Sequence, residues 1–263
     1  MKMGWYRLLA VVNALFFAAN VLITYVTIPE ASNGTIAGQL SGELPELLEF
    51  FGIHVSIWAI IYILQLGFLI YQLYKVFRAS EPPLFFERIG VFYLIACVFN
   101  TAWIYTWHIQ IIWLSLIMMF GLLITLTIIY VRLRPGLEEF TIRQQWMLTL
   151  PFSVYTGWVT IAAVANVTTA LSMYGLNGWG ISATAWTIIM ISVSTVITAS
   201  ILYIRRDLGF AAVVIWGFTG IIIKQMANYP DEGLKIIIAA VIGMAVLLVD
   251  SIIALIRTSR TTS

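Results

Sequence analysis

Apolar residues in this chain come in long runs, broken by short polar stretches, and neither an alternation of two nor a narrow amphipathic stripe dominates. Eight runs stand out, roughly Trp5–Ile28, Phe51–Tyr74, Ile89–Trp107, Ile111–Val131, Gln145–Thr168, Ala183–Ile204, Leu208–Met226 and Lys235–Ile256. Each is near the ~20 residues an α-helix needs to cross ~30 Å of hydrocarbon. Helices satisfy their backbone polar groups internally, and no ten-residue alternation points to a barrel. The pattern therefore predicts an all-α, polytopic membrane helix bundle of about eight transmembrane helices. The first segment begins with Lys2 and Arg7, as a signal peptide would. It continues to Ile28 without a polar cleavage region, so it reads as a retained helix.

Composition strengthens this picture. The chain is 61% hydrophobic and 10% charged, against roughly a quarter charged in soluble domains. A formal charge of +2 over 263 residues leaves no basic patch for nucleic acid. The single cysteine, Cys97, excludes an intrachain disulfide and a cysteine metal site.

The charges also set an expected orientation. With the N-terminus in the cytoplasm, Lys2, Arg7, Lys75, Arg78, Arg88, Arg132, Arg134, Arg143, Arg205, Arg206, Arg257 and Arg260 all fall inside, and only Lys224 and Lys235 fall outside. This is the positive-inside bias, and it places both termini in the cytoplasm. The external connection Pro29–Phe50 carries Glu30, Glu43, Glu46 and Glu49 without a lysine or arginine. It reads equally as a solvated loop or as a lid, and it contains the sequon Asn33-Gly34-Thr35.

Given that orientation, unusual residues gather toward the outer leaflet. Trp58, Tyr62 and Gln65 share one face of the second helix; Asn100, Trp103 and Trp107 share one face of the third; Trp158, Ala162 and Asn166 share one face of the fifth. Asn20 and Tyr25 of the first helix lie in the same layer. An asparagine facing lipid would leave its amide unsatisfied, so these stripes should face protein or a cavity. They read as glue between helices, as an interfacial aromatic belt (Trp5, Trp107, Trp113 and Trp179 foremost), or as the lining of a ligand pocket.

Catalytic constellations are absent. His54 and His108 are the only histidines, no carboxylate stands at metal-site spacing, and no glycine-rich phosphate loop occurs. Two charges lie within the spans. Asp250 sits two turns from the cytoplasmic end of the eighth helix, and Lys224 sits near the external end of the seventh, where it can snorkel.

The stretches SIWAIIYILQLGFLIYQ, VFNTAWIYTW and LPFSVYTGWVTIAAVANV resemble the TspO/MBR family, the translocator or tryptophan-rich sensory proteins. The family's Trp-x-x-x-Tyr pattern is matched by Trp58 and Tyr62. Its Leu-Asn-x-x-Trp pattern is matched as Phe99, Asn100 and Trp103, and its Trp-x-x-x-Ala-x-x-x-Asn pattern by Trp158, Ala162 and Asn166. The stretch EFFGIHVSIW departs from the family by lacking the prolines that usually precede the tryptophan of the second helix.

The resemblance implies a TspO-like five-helix bundle over residues 1–170 and three additional transmembrane helices over 171–263, as in the longer bacterial branch. It implies an intrabundle pocket for a planar hydrophobic ligand such as a porphyrin or other tetrapyrrole, or a sterol-like lipid, lined by Trp58, Tyr62, Asn100, Trp103, Trp158, Ala162 and Asn166. No cofactor is required, a bound porphyrin or other tetrapyrrole is compatible with the pocket, and no catalytic or metal residue is assigned. The expected setting is a bacterial plasma membrane, the expected partners are the lipid bilayer and the ligand, and a homodimer is compatible with this. A membrane transporter using Asp250, Gln65 and Lys224, a porphyrin-degrading enzyme, and a structural or accessory role are the alternatives.

Overall fold

The computed structural model describes residues 2–32, 53–173, 180–228 and 233–261. Among them are eight long helices: α1 (Lys2–Ser32), α2 (Ile53–Arg78), α3 (Leu84–His108), α4 (Ile112–Leu133), α5 (Leu150–Met173), α6 (Ala183–Arg205), α7 (Leu208–Asn228) and α8 (Leu234–Thr261). No strand occurs among the described residues. Each helix carries a stretch long and apolar enough to cross a membrane, the fifth of these running Ile142–Val167. The candidate lid Pro29–Phe50 lies outside the described residues except at its first four, which continue α1. Trp179 is likewise outside them.

Local chemistry ends several of these helices where the apolar runs end. Pro82 and Pro83 precede α3, and the Pro83 carbonyl accepts the Phe86 N–H at 2.8 Å. α4 stops at Arg134, in the left-handed region (φ 53°), with Pro135 following. Thr141 and Gln144 form a reciprocal capping box that restarts the chain. A π turn, Gln145–Thr149, then leads into α5. Its cause is Pro151, which lacks an N–H and crowds the carbonyl four residues back, so the preceding turn widens. Between α6 and α7 only Arg206 (φ 52°) and Asp207 intervene, and Asp207 Oδ1 caps α7 by accepting the Phe210 N–H at 3.1 Å.

The chain forms two compact units. The first holds α1, α2 from Trp58 onward, α3, α4 and the start of α5 to Thr156; the second holds α5 from Gly157 onward with α6, α7 and α8.

In the first unit α3 packs along α4 and along α1. Gly121 of α4 opens the closest approach, since a Cβ there would lie 2.4 Å from the Phe99 ring. Asn13 and Asn20, seven residues apart on α1, donate to the carbonyls of Gly90 (3.5 Å) and Cys97 (3.4 Å), also seven apart. Equal spacing on both helices means that α1 and α3 run parallel and in register. Gly90 is itself non-helical (φ 39°, ψ −123°) and kinks α3. Gln65 Nε2 donates to the Pro151 carbonyl at 3.1 Å and Gln72 Nε2 to that of Ala10 at 3.4 Å. At one end of this unit cations collect: Arg7 lies over Phe77, Arg132 lies over Phe92, and Arg88 makes a two-pronged ion pair with Glu138.

The second unit is held by close approach. A Cβ on Gly157 would meet Val213 Cγ1 at 2.5 Å and the Phe210 carbonyl at 3.1 Å; on Gly217, Ile161 Cδ1 at 2.7 Å; on Gly243, Thr195 Oγ1 at 2.7 Å and the Phe218 ring. The hydroxyls of Thr195 and Thr198 bond back to Ile191 and Ser194 of their own helix. Arg257 lies over the Tyr203 ring, which brings the C-terminal ends of α6 and α8 together. Lys224, placed by its sequence where it can snorkel, is 4% exposed.

Candidate functional site

In the first unit, at the end away from the collected cations, four of the expected residues come together. Trp58 of α2 and Trp103 of α3 are both buried and stack with centroids 5.9 Å apart and planes 23° apart. Tyr62, one turn along α2, lies 5.5 Å from the Trp58 ring, and Tyr155 meets the same indole edge-on at 6.1 Å. Ring pairs of this kind add about 0.5–1.5 kcal/mol to the burial of their area. The helical spacing of Trp58 with Tyr62 and of Asn100 with Trp103 points both members of each pair to the same side.

Beneath the rings runs a directional hydrogen-bond network. Because the Cys97 carbonyl can only accept, the Asn20 atom facing it is Nδ2, and Asn20 Oδ1 is an acceptor. Asn100 therefore donates its Nδ2 to Asn20 Oδ1, at 2.9 Å, and its own carbonyl oxygen is left without a donor. Thr24 donates its hydroxyl hydrogen to the Asn20 carbonyl at 2.9 Å, so Tyr62 is the donor in the 2.9 Å bond between Tyr62 and Thr24. Asn100 is fully buried and Asn20 nearly so. Each such bond between membrane helices contributes about 0.6–1.7 kcal/mol.

A small cavity adjoins this network, lined in part by Asn20, Tyr62, Gln65, Cys97 and Tyr155. It has about 10 Å³ of room for the centre of a water molecule, enough for roughly one water. Pockets for drug-sized ligands are ≈ 300–1,000 Å³. The rings thus fill most of the space themselves.

The third expected stripe belongs to the second unit. Trp158 is fully buried, Ala162 is 5% exposed, and Asn166 donates Nδ2 to the Ala162 carbonyl of its own helix at 3.0 Å. Of the expected belt, Trp5 and Trp113 are exposed, whereas Trp107 is half-buried, as is His108 beside it.

Sequence reading placed Asn20 in one layer with the stripes but gave it no bonding partner, and it left Thr24 and Tyr155 out. The signal for the first two was present in α1, where Asn13, Asn20 and Thr24 recur at i, i+7 and i+11 on one face. Tyr155 gave no such signal, since an aromatic residue in an apolar helix is unremarkable.

Eight apolar helices of spanning length among the described residues, with large apolar side chains exposed on their outer faces, define a polytopic integral membrane protein. The sequence model of the family described as "TSPO-like protein" matches residues 10–253, and the chain belongs to that family. The match runs through the helices beyond residue 170 as well as the first five. No curated protein and no solved structure matches the chain.

Proposed function

We propose that this protein binds a flat, apolar small molecule of the porphyrin or sterol-like kind within the first unit, and that it acts as a membrane binding or sensory protein. The observation that carries the reading is the stacked pair Trp58–Trp103 held over the network of Asn100, Asn20, Thr24 and Tyr62. Two indoles already face to face form the sides of a slot for a third flat ring. A ligand between them requires their planes to part to about 7 Å, twice the contact distance of carbon atoms. Tyr62 edges the slot, and the open carbonyl of Asn100 accepts a ligand N–H or O–H.

The reading includes orientation: a bacterial plasma membrane, with both termini on the cytoplasmic side. The positive-inside bias supports it, as does the gathering of Arg7, Arg88 and Arg132 at one end of the first unit.

Titration of the protein in nanodiscs with protoporphyrin, followed by porphyrin absorbance against empty nanodiscs, tests the proposal. Saturable binding is expected, weakened tenfold or more in Trp103→Leu and several-fold in Asn100→Ala. Equal affinity in wild type and Trp103→Leu would rule out this slot. Trp158→Phe puts the same question to the fifth-helix stripe.

A further inference from the structure

The cations at one end of the first unit are not all held alike. Arg88 and Arg134 both reach the Glu138 carboxylate. Arg7 and Arg78 make no ion pair among the described residues and lie over aromatic rings instead. The Arg7 guanidinium is 5.8 Å from the centre of the Phe77 ring, and that of Arg78 is 4.6 Å from the centre of Tyr74. Here α1 and α2 run antiparallel, since Ala10 meets Gln72 while Thr24 meets Tyr62. Tyr74, Phe77 and Arg78 are i, i+3 and i+4 on α2, so guanidiniums from two neighbouring helices stand at one level over adjoining rings. Both arginines are exposed, and the rings are half open, Tyr74 at 48% and Phe77 at 51%. Arginine can only donate, so the 3.0 Å bond from Arg78 Nη1 makes the Tyr74 oxygen an acceptor and leaves the tyrosine hydrogen to be given elsewhere. Beyond the charges both helices turn apolar. Val11 and Leu15 follow Arg7 at i+4 and i+8, Ile70 and Ile63 precede Phe77 by seven and fourteen residues, and all four are exposed.

We propose that this face of α1 and α2 binds an anionic glycerophospholipid, with its phosphodiester at Arg7 and Arg78 and an acyl chain along the apolar stripes. The site is independent of the ring slot proposed above. A guanidinium fork matches phosphate oxygens, and a phosphodiester offers two unbridged ones, with the Tyr74 hydroxyl as a further donor. The rings steady both cations without neutralising them, so their charge is left for the headgroup. A soluble phosphate would meet the same donors, but the apolar stripes that continue the site fit a molecule with tails. Membrane orientation asks only for cations at this end. It does not ask for two on neighbouring helices over half-open rings. Lys75 and Arg132 meet the general demand without that arrangement. Lys75 stands over the buried Tyr71, and Arg132 spends a donor on the Arg88 carbonyl.

Binding of dioleoylphosphatidylglycerol and dioleoylphosphatidylcholine to the purified full chain in detergent, read by native mass spectrometry, tests this. The wild type is expected to favour phosphatidylglycerol by about twentyfold, roughly fivefold for each arginine. In the double variant Arg7→Gln, Arg78→Gln that preference should vanish while phosphatidylcholine binding stays as it was. Tyr74→Phe, which removes a donor and no charge, should lower the preference by about twofold or more. The double variant Lys75→Gln, Arg132→Gln loses the same charge from the same end and should keep most of the preference. Equal binding of the two lipids by the wild type overturns the proposal, with no variant needed. Equal loss in the two double variants overturns it too, since net charge alone would then explain the effect. Glycerol 3-phosphate supplies the headgroup without tails. At the same concentration it should leave the lipid bound, and displacement would identify the site as one for soluble phosphate and overturn the lipid. A dimer that forms as phosphatidylglycerol is shed would give this face to a second copy of the chain and overturn the proposal as well.

Discussion

The first unit ties its helices with amides that reach across to a neighbour's backbone, whereas the second brings its helices together at glycines. Asn13, Asn20, Gln65 and Gln72 each donate to a carbonyl on another helix. In the second unit Gly157, Gly217 and Gly243 remove the side chains that would hold helices apart, and the threonine hydroxyls of α6 turn back on their own helix. Lipid is as apolar as leucine, so membrane helices associate through close packing and interhelical hydrogen bonds rather than through the hydrophobic effect. The two units use these two means in different proportions. Directional bonds fix register and leave polar atoms near a cavity, while glycine packing fills space and leaves little room for a ligand. The difference assigns the candidate site to the first unit.

That contrast can be broken most forcefully in the second unit. Gly157→Leu places carbon where Val213 and a backbone oxygen already stand, and a backbone oxygen cannot rotate away. A loss of about 3 kcal/mol is expected in thermal or denaturant unfolding in detergent. A tolerated leucine would mean that the close approach is not what holds α5 to α7.

In the first unit Asn20→Leu removes the bond to the Cys97 carbonyl and strands the Nδ2 of Asn100. About 2 kcal/mol is expected, with a larger proportional loss of ligand binding than Gly157→Leu causes. An Asn20→Leu protein of unchanged stability would remove the directional half of the comparison.

A smaller effect comes from acid. The Arg88 guanidinium hydrogen-bonds Glu138 and, with Arg134 nearby, holds its carboxyl below the ordinary glutamate value despite some desolvation. A depressed value means the pair stabilises the fold above the ordinary carboxylate pKa, and that this contribution fades as pH falls through the lowered one. Unfolding midpoints followed downward from about pH 5 should therefore decline more in wild type than in Glu138→Gln. Because both partners are partly open to water, salt should shrink the difference.

The least is expected of Thr198→Val in the second unit. Its hydroxyl serves only its own helix, so a change within about 0.5 kcal/mol should follow. A substantial loss there would show that hydroxyls, too, tie the helices of the second unit.

Much of the architecture was legible from sequence because the bilayer imposes it. Spanning length, apolar composition and charge alternation depend on each segment's own residues, and all eight runs became helices at nearly the expected bounds. The stripes Trp58–Tyr62 and Asn100–Trp103 were also legible, since helical spacing fixes which residues share a face. Partnership between faces was not. Nothing local shows that Asn20 answers Asn100, that Trp58 stacks on Trp103, or that Tyr155 closes the cluster, because each pairing joins residues distant along the chain. Lys224 shows the same limit. A lysine near a helix end can snorkel by its own geometry, and only the packing around α7 buries it.

What the sequence determined by itself was therefore the set of helices, their charge pattern and the faces they present, which follow from local periodicity and from the cost of polar groups in lipid. The tertiary structure alone decided which faces meet. It spent the amide donors of Asn20 and Gln65 on backbone carbonyls and so left Gln65 Oε1 without a partner. The physical reason is that one hydrogen satisfies one acceptor, and the allocation depends on where every neighbouring helix lies.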